Sequence, residues 1–333
     1  MSAAGERAPV RRAIVHIGSD KTGSTALQAA MADRRPELVE LGIWYPDLDG
    51  RPDHLALADR RPPPVPVPAT PVDTMVLSSE ALLPLPDRRV VRLLDGLAAL
   101  PAITEILVLA YVRAPVDFAE AAFLQRCRLA RSERELRRLV AVRSVPAPVN
   151  PIAGRVVARL TRLERWADEV DRLGARSTGV TARIEVRPYV PFDWPDGDVV
   201  GDAVTVRGLE PAADLLLARR HRRRHPTPDL STIHAAVLLG EMVGPEARDR
   251  ILESTPTSGL TGGRRPVLPG ALRRRIVTRT EPILVRLMRR HAGLAALATA
   301  PADRHGERND VEPLDRSAAL ALLDGHRRAG EPG

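Results

Sequence analysis

Gly18 and Gly23 are spaced as the two glycines of a phosphate-binding loop, in the stretch GSDKTGST. In the common NTP-binding version, G-x-x-x-x-G-K-[ST], a lysine directly follows the second glycine. Here Ser24 follows it, and the lysine is Lys21, two residues before Gly23. The loop still offers what an oxyanion needs. Backbone N–H groups at a loop and a helix start point outward, Ser24 and Thr25 add hydroxyl donors, and Lys21 adds charge. The chain carries 50 Lys and Arg residues, and Lys21 is the sole lysine among them. Every other cation is the broad planar fork of arginine, so this position calls for a compact charge on a flexible stem.

Such a loop works only if a strand delivers it and a helix receives it. Short apolar or β-branched runs predict strands at Ala13–Ile17, Thr74–Ser79, Ile103–Val112 and Ala182–Tyr189. Three are nearly continuous in apolar residues, as in parallel strands buried on both faces. Helical spacing is seen in Ser24–Arg34, Asp87–Leu100, Pro115–Arg131, Arg159–Leu173, Thr227–Met242 and Pro269–His291. This alternation predicts an α/β fold. The expected form is a P-loop-like three-layer arrangement with a central, mostly parallel sheet and a helical C-terminal extension. Residues 1–11 read as a flexible N-terminus, and 12–300 as one domain that turns helical from about residue 211. Residues 301–333 read as a polar tail. The proline-rich stretch 60–71 suits a surface loop.

Composition narrows the function classes. One cysteine, Cys127, excludes an internal disulfide and fits a reducing compartment. The first residues lack the apolar segment of a signal peptide. No apolar run approaches the ~20 residues of a membrane span. The expectation is a cytoplasmic protein. The net charge of +8 favours anionic ligands, and the arginine run at 219–225 concentrates it. Aromatic content is only 3%, which leaves little for nucleobases to stack on, so nucleic acid is not the expected partner. No metal-ligand cluster stands out. His16 reads as a satisfied residue at a strand end, and Trp166 as core packing.

The stretch HIGSDKTGSTALQ, followed by ELVELGIWYP, resembles the 5′-phosphosulfate loop region of bacterial sulfotransferase-like proteins. A second stretch, AYVRAPVDFAEAAFLQ, is similar to that family's 3′-phosphate motif, in which a strand-end arginine is followed eight residues later by a serine. Arg113 matches the arginine, and Pro115, Asp117 and Gln125 are also in place. Ala121 stands where the serine is usual, and Asp20 is unusual within the loop. Weaker similarity runs through LTRLERWADEVDRLG and ARIEVRPY to about residue 298.

The resemblance implies transfer of a sulfuryl group from 3′-phosphoadenosine 5′-phosphosulfate (PAPS) to a hydroxyl or amine acceptor, without a metal. Thr22, Gly23, Ser24 and Thr25 would hold the 5′-phosphate and Arg113 the 3′-phosphate. Lys21 would meet the leaving-group oxygen. Tyr189 is a candidate for stacking on adenine, with strand-end packing as the plainer reading. Two candidates for the acceptor's base stand: Glu80, at a parallel strand's carboxyl end, and His54, in PDHLALA. The acceptor, whether small metabolite, glycan or lipid, is not readable, and neither is the oligomeric state. The rival readings are a family member that binds without catalysis, a P-loop kinase or NTPase, and an arginine-rich nucleic-acid binder.

Overall fold

The computed structural model describes residues 10–19, 22–59, 70–145, 150–190, 199–218, 228–254, 267–299, 316–317 and 320. Five strands form one sheet: β1 (Arg12–His16), β2 (Ile43–Trp44), β3 (Thr74–Ser78), β4 (Glu105–Val112) and β5 (Thr181–Pro188). Their order is β2-β3-β1-β4-β5, and every pairing is parallel. The helices are α1 (Ser24–Ala32), α2 (Arg35–Glu40), α3 (Asp87–Ala98), α4 (Pro115–Arg128), α5 (Glu133–Ala141), α6 (Pro151–Arg176), α7 (Val199–Ala203), α8 (Ala213–Ala218), α9 (Leu230–Val243), α10 (Pro245–Ser254), α11 (Gly270–Arg290) and α12 (Ala295–Thr299). The architecture is a three-layer α/β fold with C-terminal helices. Four strands fall where the apolar runs predict them. The fifth, β2, is a two-residue pairing of Ile43 with Thr74 and Trp44 with Met75, too short to leave a periodic signal.

The chain divides into two compact units. The first comprises residues 1–114, 158–224 and 283–299; the second comprises 115–157, 225–282 and 300–333. The first unit contains the sheet. Alternate residues of a strand face opposite sides. Ile14, Val76, Leu107, Leu109 and Tyr111 join Leu27, Ala30 and Met31 of α1 in one core, with α7 and α8 adding Val199, Val200, Ala203 and Leu216. The intervening residues Ala13, Val15, Met75, Leu77, Ile106 and Val108 are equally buried. On the other side, α6 runs beside α3, tied by Arg162 to Asp87 and Arg176 to Asp95. Trp166 is fully buried, and its indole N–H donates to the Leu82 carbonyl at 3.3 Å, as the core-packing reading expects.

The second unit is helical. Val116, Phe118, Phe123 and Leu124 of α4 pack with Leu136 of α5, Ile152 and Val156 of α6, Ile233 and Val237 of α9 and Leu272 and Ile276 of α11. Cys127 is buried in this core, which pushes its thiol up to about 12. Side chains cap two helices here: Ser132 accepts from the Glu135 N–H and Asp229 from the Thr232 N–H. α5 lies outside the helices anticipated from periodicity, while α10 falls in the part read as helical from about residue 211. Among the described residues, no helix is long and apolar enough to cross a membrane.

Candidate functional site

The strand order places a crevice. From β1 the chain leaves toward β2 on one side, and from β4 it leaves toward β5 on the other. The adjacent carboxyl ends of β1 and β4 therefore diverge, and ligands of open α/β sheets bind at such a switch point. The glycine-spaced loop leaves one of these ends, and Arg113 directly follows the other.

Both loop glycines have positive φ, 50° at Gly18 and 80° at Gly23, where a side chain is strained. Both are also crowded. A Cβ at Gly18 would lie 3.0 Å from Ser24 Oγ and 3.1 Å from Glu80 Cγ, and one at Gly23 would lie 2.9 Å from Val199 Cγ1 and 3.8 Å from Tyr189 Cε2. Gly23 begins α1, and its carbonyl accepts from the Ala26 and Leu27 N–H groups. The first-turn amides have no acceptor within the helix. The Thr22 hydroxyl donates to the Ser19 carbonyl at 2.6 Å, which tightens the turn. Thr22 and Ser24 are buried, while Thr25 is exposed. Lys21 and Asp20 lie outside the described residues, as does the arginine run 219–225.

Several sequence candidates meet at this loop. The Ser79 N–H donates to the His16 carbonyl at 3.1 Å, and Ser79 Oγ caps the short 3-10 turn Glu80–Leu82. Those contacts bring Glu80 against Gly18. The Tyr189 N–H donates to the Val112 carbonyl at 2.7 Å, which carries the β4–β5 ladder one residue further. The Arg113 guanidinium carbon then sits 5.5 Å from the Tyr189 ring centroid, within cation–π range. Tyr189 in turn lies beside Gly23. Ala121 is buried on α4, in the second unit.

His54 is held differently. Its Nδ1 accepts from the Ser78 N–H at 2.8 Å, and its Nε2 is 2.8 Å from the Pro46 carbonyl. The ring packs on Tyr45, with centroids 4.4 Å apart. Burial lowers its pKa. Both nitrogens are engaged in joining the β2 and β3 ends, so no lone pair is left for an acceptor's proton.

His16 departs from the satisfied residue that the sequence suggests. Its Nδ1 lies 2.7 Å from Ser78 Oγ, which also accepts from Gln28 Nε2 at 3.2 Å. Its Nε2 is buried without a hydrogen-bond partner among the described residues, and the same holds for Ser24 Oγ. Buried polar atoms are normally paired, and these two belong to the strand end and the helix start that flank the glycine-spaced loop. Burial pushes the His16 pKa down to about 4.

That depression sets a pH dependence. Between the ordinary 6.5 and about 4, the unfolded chain takes up a proton that the folded protein refuses. Stability is therefore fully present above pH 6.5 and falls with pH, by about 3 kcal/mol once below the folded value. His54 acts with the same sign. Urea unfolding from pH 7 to pH 4 should show this loss, and His16→Asn should flatten it.

A second set of contacts supports the crevice wall. The Tyr111 hydroxyl donates to Asp202 Oδ2 at 2.7 Å, and Arg187 donates to the same oxygen at 2.9 Å. They tie α7, which carries Val199 against Gly23, to β4 and β5. Sequence reasoning missed Arg187 and Asp202, because they lie fifteen residues apart in the chain and neither belongs to a motif.

No family model matches the chain, and neither does any curated protein or solved structure. The architecture is of the kind that binds nucleotides or cofactors. Among the described residues, no three His, Cys, Asp or Glu side chains gather as a metal site would need.

Proposed function

We propose that the chain is a sulfotransferase that uses PAPS and acts on a hydroxyl or amine acceptor. The observation that carries this reading is the buried Ser24 hydroxyl in the first turn of α1, which closes against Gly18 and has no hydrogen-bond partner among the described residues. A donor left open at a helix start suits an oxyanion. The position of Lys21 favours a phosphosulfate over a nucleoside triphosphate, since the cation comes before the second glycine. Arg113, stacked on Tyr189 beside that glycine, supplies the charge for a second phosphate.

The nucleotide supplies an activated sulfuryl group. Ser24, Thr25 and the loop amides hold the 5′-phosphate. Lys21 stabilises charge on the phosphate oxygen as its bond to sulfur breaks. Glu80 takes the acceptor's proton as the new sulfur–oxygen or sulfur–nitrogen bond forms. Catalysis of this type is mostly positioning and charge stabilisation.

A ligand that binds only the folded state raises its apparent stability by mass action. Thermal-shift titration should show 3′-phosphoadenosine 5′-phosphate raising the melting temperature more than ATP or AMP at equal concentration. At 100 times the dissociation constant the gain is about 2.7 kcal/mol. A larger shift with ATP and magnesium would favour the kinase reading. Selective bisphosphate binding with no transfer to any acceptor would favour the non-catalytic one.

A further inference from the structure

We propose that His16 is a ligand-binding residue, whose Nε2–H donates to an oxygen of the anionic group held at the Gly18–Thr25 loop. This rests on the phosphosulfate reading of the loop and adds a residue to it.

His16 and Ser24 belong to one column of polar contacts. His16 closes β1 two residues before Gly18, on the same side of the sheet as α1, to judge from its register partner Ser78 and from Leu109. Ser78 Oγ joins the ring to Gln28. Gln28 lies one turn below Ser24 on the same face of α1, and Ser24 Oγ closes against Gly18. The column thus has a paired middle, Gln28–Ser78–His16 Nδ1, and two polar atoms without a partner among the described residues, Ser24 Oγ and His16 Nε2. Both residues are 1% exposed.

The tautomer proposed has Nδ1 accepting. Ser78 Oγ accepts from the Gln28 amide and can give its hydroxyl proton to Nδ1; Nε2 then carries the hydrogen. A donor suits an oxyanion, whereas a bare lone pair would repel it. Burial keeps the ring uncharged at neutral pH in the ligand-free protein, so it meets the anion as a neutral donor. The Tyr111 ring, edge-on with centroids 5.9 Å apart, walls the other side.

Two substitutions separate the nitrogens. In His16→Asn the side chain reaches only as far as Nδ1, so the Ser78 contact can persist while the open donor is lost. In His16→Gln the amide reaches the Nε2 position and the Ser78 contact is lost. Isothermal titration with 3′-phosphoadenosine 5′-phosphate, ATP, pyrophosphate and sulfate would be run on wild type and both variants, with melting temperatures measured in the absence of ligand.

The expected result is binding weakened about ten- to hundred-fold in His16→Asn, with stability without ligand kept, and partial recovery in His16→Gln. Equal affinity of wild type and His16→Asn for an anion that binds would overturn the inference, and so would recovery in neither variant. If wild type binds pyrophosphate or sulfate but not the bisphosphate, the nucleotide reading fails, and the His16 assignment is still judged on that anion. If no anion binds wild type, both fall.

Discussion

Lys21→Ala is expected to lower sulfuryl transfer by at least ~10³-fold while the protein stays folded. Removing one donor to a developing oxyanion typically costs ~10²–10³ in rate, and in the proposed mechanism the donor carries a full charge. Lys21 is the chain's sole lysine, so no neighbouring lysine exists to take over. Lys21→Arg restores charge but not shape, and should recover only part of the rate. The measurement is kcat with saturating PAPS and an acceptor found by screening, alongside the melting temperature. Undiminished turnover in Lys21→Ala would remove the mechanism. A collapsed melting temperature would instead show that the lysine holds the loop together.

The second large effect is expected at Glu80. Glu80→Gln keeps the shape and removes the proton acceptor. A positioned general base contributes about 10²–10⁴ in rate, so kcat should fall by that order while affinity for the bisphosphate is retained. The fall should be steepest at neutral pH and shrink as the acceptor itself ionises at high pH. His54 provides the contrast. Its ring bridges the Ser78 N–H and the Pro46 carbonyl, so His54→Ala leaves a buried donor and acceptor unpaired, at about 1–3 kcal/mol each. The expected loss there is in melting temperature, with kcat of the folded fraction near wild type. If Glu80→Gln retains its rate and His54→Ala loses it without loss of stability, the two roles are exchanged.

The loop shows how far local information reaches. An apolar strand, two glycines five residues apart and a helix start all lie within about twenty residues. Each is encoded by its own neighbours, through burial on both strand faces and the positive φ that only glycine adopts cheaply. That is why Ala13–Ile17 and Ser24–Arg34 nearly coincide with β1 and α1. Helix α6 was harder to read. It begins eight residues earlier than its apolar spacing suggests, because Pro151 is tolerated in a first turn and Ile152, Ala153 and Val156 pack into the second unit's core. β2 left no signal, since two residues cannot show a period.

The amino-acid sequence by itself determined the class of the fold, the place of the glycine-spaced loop and the identity of its single lysine. These follow from composition and short-range periodicity, which act through neighbouring residues. Only the tertiary structure decided which polar side chains are spent and which are open. Whether His54 has a lone pair left, whether His16 is satisfied, and whether Arg113 reaches the loop through Tyr189 all depend on atoms brought together from β1, β3, β4 and β5. The strand order sets those encounters. Hydrogen-bond satisfaction is a property of the assembled neighbourhood, and no residue type carries it alone.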